Sequence, residues 1–124
     1  TSYDWLCTDE KVVQKYVDDP LCGFTFTLNG FRTLFTLLNR LNQEENLKQM
    51  PKELPVLFIA GGADPVGNYG NGVRKAQGDF QKVGMERTSL KIYEKERHEI
   101  LNEPIRHEIY EDIYSWLMER VEEY

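Results

Sequence analysis

Five consecutive apolar residues, Val56-Leu57-Phe58-Ile59-Ala60, run straight into Gly61-Gly62. A strand with one wet face alternates polar and apolar positions, so an unbroken run that ends in a glycine turn predicts a strand covered on both faces, as in a parallel sheet. Parallel neighbours need a crossover rather than a hairpin. The chain supplies one: Val73, Ala76, Phe80 and Val83 fall at helical spacing, Gly84 stops that helix, and Leu90, Ile92 and Tyr93 form a second strand interrupted by Lys91. A last helix starts near Pro104, a residue favoured in a first turn, and carries Ile105, Ile109, Ile113, Trp116 and Leu117 on one face.

Upstream, Thr8 to Val17 reads as a helix capped by Thr8 or Asp9, with Val12, Val13, Tyr16 and Val17 on one stripe and Pro20 as its stop. From Phe31, the positions Leu34, Phe35, Leu38 and Leu41 repeat at three and four after an Asn29-Gly30 pair suited to a turn and cap. Both stripes are expected to be core faces. Pro51 and Pro55 bracket a polar linker. The order helix, helix, strand, helix, strand, helix predicts an α/β fold with right-handed crossovers, the end of a doubly wound sheet. Most stable sheets have about four to six strands, so the chain is expected to lack strands and, opening at Thr1 without an initiator methionine, to begin inside a larger protein.

Composition removes several classes of function. The 124 residues suffice for one compact domain. Fifteen Lys and Arg against 21 Asp and Glu leave a net charge of −6, so no nucleic acid partner is expected. No apolar stretch approaches the roughly 20 residues of a membrane helix, and no secretory signal opens the chain. Cys7 and Cys22 are expected as reduced thiols in a cytoplasmic protein, a bridge between them being the minority reading.

In a doubly wound sheet, ligands gather beyond the carboxyl ends of the strands. Two titratable residues fall in those loops: Asp64, directly after the first strand, and His98, a few residues after the second. One helix and one strand separate them, which brings them to neighbouring strand ends. A carboxylate beside an imidazole fixes its tautomer and stabilises the imidazolium, as a general base requires. The competing reading makes Asp64 an Asx-turn residue before Pro65 and His98 an ordinary surface or core histidine.

Other chemistries fail on spacing. His98-Glu99-Ile100-Leu101-Asn102 begins like the zinc helix H-E-x-x-H but places Asn102 at the second histidine, and His107 lies too far along. Cys7 and Cys22 form no C-x-x-C pair. Cys22 with His98 is conceivable as nucleophile and base, against the commoner inert thiol. The glycines from Gly61 to Gly72 match neither a phosphate loop nor a dinucleotide fingerprint, so no nucleotide is expected there.

Taken together, these segments resemble the α/β-hydrolase superfamily, in its monoacylglycerol lipase and lysophospholipase-like branch. Leu54-Pro55-Val56-Leu57-Phe58-Ile59-Ala60-Gly61-Gly62-Ala63-Asp64-Pro65-Val66-Gly67 is similar to the family's late strand and acid loop. Arg97-His98-Glu99-Ile100-Leu101-Asn102-Glu103 is similar to its histidine loop, and Asp112 to Leu117 to its closing helix. Asp9 to Leu21 resembles the cap segment, with Phe31 to Leu41 as a cap helix. The resemblance implies residues 1–50 as helical cap and return to the core, and 51–124 as the C-terminal αβ portion. It implies Asp64 as triad carboxylate, His98 as general base, small lipid esters as substrates, and a mechanism that needs no metal or cofactor. Glu99 is read as stabilising its loop, and the aromatic segment Phe24 to Leu38 as core, equally or ahead of an acyl groove.

One element is missing. The family carries its nucleophile on a G-x-S-x-G elbow, and Ser2, Ser89 and Ser115 have no flanking glycines. The resemblance therefore implies that the nucleophile lies upstream, that the upstream portion of the same hydrolase is the partner of this chain, and that the chain alone is inactive. The alternative is a non-catalytic α/β interaction module whose open sheet edge and apolar faces favour association, including self-association. An aminopeptidase or haloperoxidase-type relative is a third reading, since one triad serves many substrates.

Overall fold

The computed structural model describes residues 1–121; the last three positions of the expected 51–124 portion lie outside the described residues. Helix α1 (Glu10–Asp18) is followed by α2 (Leu28–Leu41), a short α3 (Glu44–Leu47), β1 (Val56–Gly61), α4 (Asn71–Lys82), β2 (Thr88–Tyr93) and α5 (Arg106–Val121), with a 3-10 turn at Ile100–Asn102 ahead of α5. β1 and β2 pair in parallel, in register from Val56 opposite Thr88 to Gly61 opposite Tyr93. The α/β architecture and parallel pairing are those expected from the sequence.

α4 crosses one face of the pair, where Phe80 meets Phe58 edge-to-face at 5.1 Å. The other face holds Tyr93, Ile100 and Ile109, with Ile59, Ile105 and Ile113 packed around them. α5 is tied to β2 by Tyr93 Oη donating to Asp112 Oδ2 at 2.8 Å and Trp116 Nε1 donating to Ser89 Oγ at 3.2 Å. A second small core lies at the start of the chain, where Leu6, Cys7 and Val13 are buried among Tyr3, Trp5, Val12 and Tyr16. α1 begins where Asp9 accepts from the Lys11 N–H at 2.9 Å, so Asp9 rather than Thr8 is the cap.

Three expectations are corrected. β1 is half-buried rather than buried on both faces, except at Gly61, because a two-stranded sheet leaves its outer edges uncovered. α2 starts at Leu28 rather than Phe31, because the Thr27 hydroxyl accepts from the Gly30 N–H at 3.1 Å and caps the helix one turn earlier than an Asn29-Gly30 turn would allow. The apolar stripe of α2 is not a core face. No residue of α2 is buried, and Phe24, Phe26, Phe35 and Leu38 are exposed, since α3, with few contacts, is its principal neighbour. Leu117 is also exposed. Among the described residues, no helix is long and apolar enough to cross a membrane.

Candidate active site

The site forms where the two parallel strands stop. Because Gly61 and Tyr93 are register partners, the loops after them emerge side by side and continue to pair: the Gly62 N–H donates to Tyr93 O at 2.8 Å and the Ala63 N–H to Glu96 O at 2.9 Å. This approach requires glycine. A Cβ at Gly62 would lie 2.7 Å from Glu94 Cα, and Gly61 is still more tightly enclosed by the same loop.

Asp64 follows at once. Its Oδ1 accepts from the Val66 N–H at 2.8 Å, forming an Asx turn, and its Oδ2 lies 3.0 Å from His98 Nδ1. One oxygen thus shapes the turn and the other meets the imidazole. After Pro65 the chain reverses through three left-handed residues, Asn68, Tyr69 and Gly70. The reversal lets the Tyr69 N–H donate back to Asp64 O at 2.8 Å. Gly67 packs so closely that a Cβ there would stand 3.1 Å from Asp64 Oδ2.

Asp64 is 6% exposed, while the His98 side chain is 40% exposed. A carboxylate facing Nδ1 favours the neutral tautomer with its proton on Nδ1, which leaves Nε2 as the acceptor. Among the described residues nothing bonds Nε2. The imidazole rests near Trp5, ring centres 5.2 Å apart, and opens on a cavity of ≈ 400 Å³ lined by Ile59 and residues 98–102. A buried carboxylate behind a half-exposed imidazole is an arrangement that can take a proton from a group approaching it.

Among the described residues, none of the other candidates is bonded to Asp64 or His98. Ser89 Oγ accepts from Trp116, Ser115 lies within α5, and Ser2 is exposed near the start of the chain. His107 stacks edge-on against Tyr110 in α5. Both thiols are free; burial pushes Cys7 up to about 11, and desolvation, then Asp19 and Glu99, also raise Cys22. A raised thiol is a poor nucleophile. Among the described residues no three His, Cys, Asp or Glu side chains converge to hold a metal. Glu99 accepts from Asn102 Nδ2 at 2.9 Å, bracing the turn after His98.

Sequence reasoning missed Glu103. Its carboxylate is fully buried and accepts from the Arg97 N–H at 2.8 Å, the Thr8 N–H at 2.9 Å, the Thr8 hydroxyl and Cys7 Sγ at 3.3 Å. No local pattern marks it, because Thr8 stands 95 positions away. Burial pushes this carboxyl up, but the hydrogen bonds from Thr8, Arg97 and Cys7 together outweigh it and hold the group below the ordinary carboxylate range. Glu96 is shifted the other way, by burial and by the Glu103 charge.

A carboxyl with a lowered folded pKa contributes stability that is fully present above its unfolded value, near 4.3, and is lost as pH falls through the folded value. Glu96, raised, works oppositely and loses its contribution as pH rises. Below about pH 5 the stability of the wild type is therefore expected to fall more steeply than that of Glu103→Gln. Urea titrations across that range check this, and parallel slopes would refute it.

Comparison with known proteins gives the same fold. The family model described as "Serine aminopeptidase, S33" matches residues 1–105. The crystal structure of a highly thermostable carboxyl esterase from Bacillus coagulans in complex with glycerol superposes with a TM-score of 0.78 at 32% identity, covering 94% of this chain and 38% of that one. The chain thus spans well under half the length of that esterase. No curated protein matches. A family match over most of the chain, on a parallel αβ frame that brings Asp64 and His98 together, makes this chain a member of the α/β-hydrolase family, in its serine aminopeptidase S33 group.

Proposed function

We propose that this chain supplies the carboxylate and the general base of a serine hydrolase that cleaves carboxylic esters of small lipids, of the lysophospholipase or monoacylglycerol lipase type. The observation that carries the reading is the Asp64–His98 contact at adjoining parallel strand ends. The likeness to a carboxyl esterase supports ester chemistry. In this reading residues 1–50 are cap and return to the core, 51–124 are the acid- and base-bearing portion, and the nucleophilic serine belongs to a part of the hydrolase outside this sequence. The chain by itself is then inactive.

The chemistry follows from the tautomer. His98 Nε2 takes the proton of the serine hydroxyl as its oxygen attacks the ester carbonyl, then returns it to the departing alcohol. Asp64 holds Nδ1–H and stabilises the imidazolium formed in between. Water activated by the same nitrogen then hydrolyses the acyl-enzyme and releases the acid. The serine aminopeptidase description of the matching family favours one second reading, an aminoacyl substrate on the same triad.

The test is mass spectrometry of the intact hydrolase after fluorophosphonate treatment, with turnover of a monoacylglycerol, a lysophospholipid and an aminoacyl anilide. One adduct on a serine outside residues 1–124, with turnover of the two lipid esters, is the expected result. Turnover of the anilide alone selects the second reading. An adduct on Ser2, Ser89 or Ser115, or none, overturns both.

A further inference from the structure

We propose that Glu103 is a positioning residue for His98, fixing the base loop to the segment at Thr8 and thereby setting the imidazole against Asp64; this rests on the hydrolase reading above. Backbone accounting leads there. β2 ends at Tyr93, so the N–H groups of Arg97, His98 and Glu99 lie beyond the sheet and must be satisfied elsewhere. His98 N–H donates to Trp5 O at 3.3 Å and Glu99 N–H to Leu6 O at 2.7 Å. The third, from Arg97, goes to Glu103 Oε1 at 2.8 Å. Two of the three donors around the base are therefore held by backbone of the segment preceding α1, and the third by one buried side chain.

That side chain spans both partners. Oε1 holds the base loop while Oε2 holds Thr8 through its N–H and hydroxyl, with the Cys7 thiol on the same oxygen. Among the described residues no cation pairs with the group directly, and the Arg97 guanidinium donates instead to the Asp4 and Cys7 carbonyls. A buried carboxylate without an ion pair is costly unless hydrogen bonds compensate it, and packing alone would be met by an apolar residue. A carboxylate accepts at both ends at once. An amide cannot, since its NH₂ would face a donor on one side.

The loss is geometric at His98. Misplacing a reacting group by about 1 Å costs about a hundredfold in rate. In the intact hydrolase, Glu103→Gln is expected to lower kcat per fluorophosphonate-titrated site by about 10- to 100-fold with KM within about twofold. Thr8→Val, which keeps the N–H but removes the hydroxyl, is expected to lower it by roughly threefold to tenfold. A role confined to folding would instead reduce the number of titratable sites and leave turnover per site unchanged, and that result overturns the proposal. Should Glu103→Gln yield no folded protein, Thr8→Val decides by the same split. His98→Ala separates the two failures: wild-type turnover in that variant removes the hydrolase reading and this one with it, whereas its loss alongside unchanged turnover per site in Thr8→Val and Glu103→Gln removes the positioning role alone.

Discussion

In the intact hydrolase, His98→Ala is expected to lower kcat by on the order of 10⁶, and Asp64→Asn by about 10⁴. The two differ because their faults differ. Alanine removes the proposed base itself, whereas asparagine leaves an imidazole of the wrong tautomer: an amide NH₂ facing Nδ1 makes that nitrogen the acceptor and moves the proton to Nε2. The geometry also separates catalysis from architecture at Asp64. Asparagine preserves the Asx turn, because its oxygen can still accept from the Val66 N–H now held by Oδ1. Asp64→Asn should therefore unfold within about 0.5 kcal/mol of wild type, while Asp64→Ala loses the turn bond and about 1 kcal/mol besides. Steady-state kinetics with urea denaturation of both variants checks the split. Equal destabilisation of both, or more than a tenth of wild-type turnover in Asp64→Asn, would remove Asp64 from the role of orienting the base.

The legible part of this architecture is the part encoded locally. Val56 to Ala60 announces a strand through its own unbroken hydrophobicity, Val73 to Val83 a crossover helix through its period, and the glycine turn between them the place where a carboxylate emerges. Asp64 and His98 were reachable because a parallel frame fixes where successive strand ends lie, and the structure sets them 3.0 Å apart. Periodicity, in contrast, reports only that a stripe is apolar and says nothing of what covers it. The α2 stripe has the spacing of a core face yet remains open, with Phe35 and Leu38 exposed. The Thr27 cap is masked in the sequence because Asn29-Gly30 is a stronger turn signal than a threonine among other threonines. Glu103 is invisible for another reason: its carboxylate accepts from Thr8, Cys7 and Arg97, and only the closed fold brings the first two to it.

Gly61→Ala tests the frame itself. A Cβ at this position would stand 2.1 Å from Arg97 O, 2.3 Å from Glu96 O and 2.7 Å from Glu96 C. All three are backbone atoms, so no side chain can swing aside, and the strand end and the base loop must separate by roughly an ångström to restore ordinary contact. That separation stretches the Ala63 N–H···O Glu96 bond, 2.9 Å in the wild type, and pulls His98 away from Asp64. The expected costs are about 3 kcal/mol of stability and about a hundredfold in kcat. Gly78→Ala is the matched control. Gly78 lies inside α4 with nothing within 4 Å of its Cβ position, so the added methyl meets only open space and lowers the entropic cost of a helical glycine. It should stabilise by about 0.5–1 kcal/mol and leave turnover unchanged. Thermal or urea unfolding of the two variants, with kcat measured on the same preparations, gives opposite signs if the strand end and the base loop meet as closely as the structure places them. A Gly61→Ala protein with the stability and rate of wild type would mean that the loop carrying His98 does not close over β1, and the Asp64–His98 pair would lose its support.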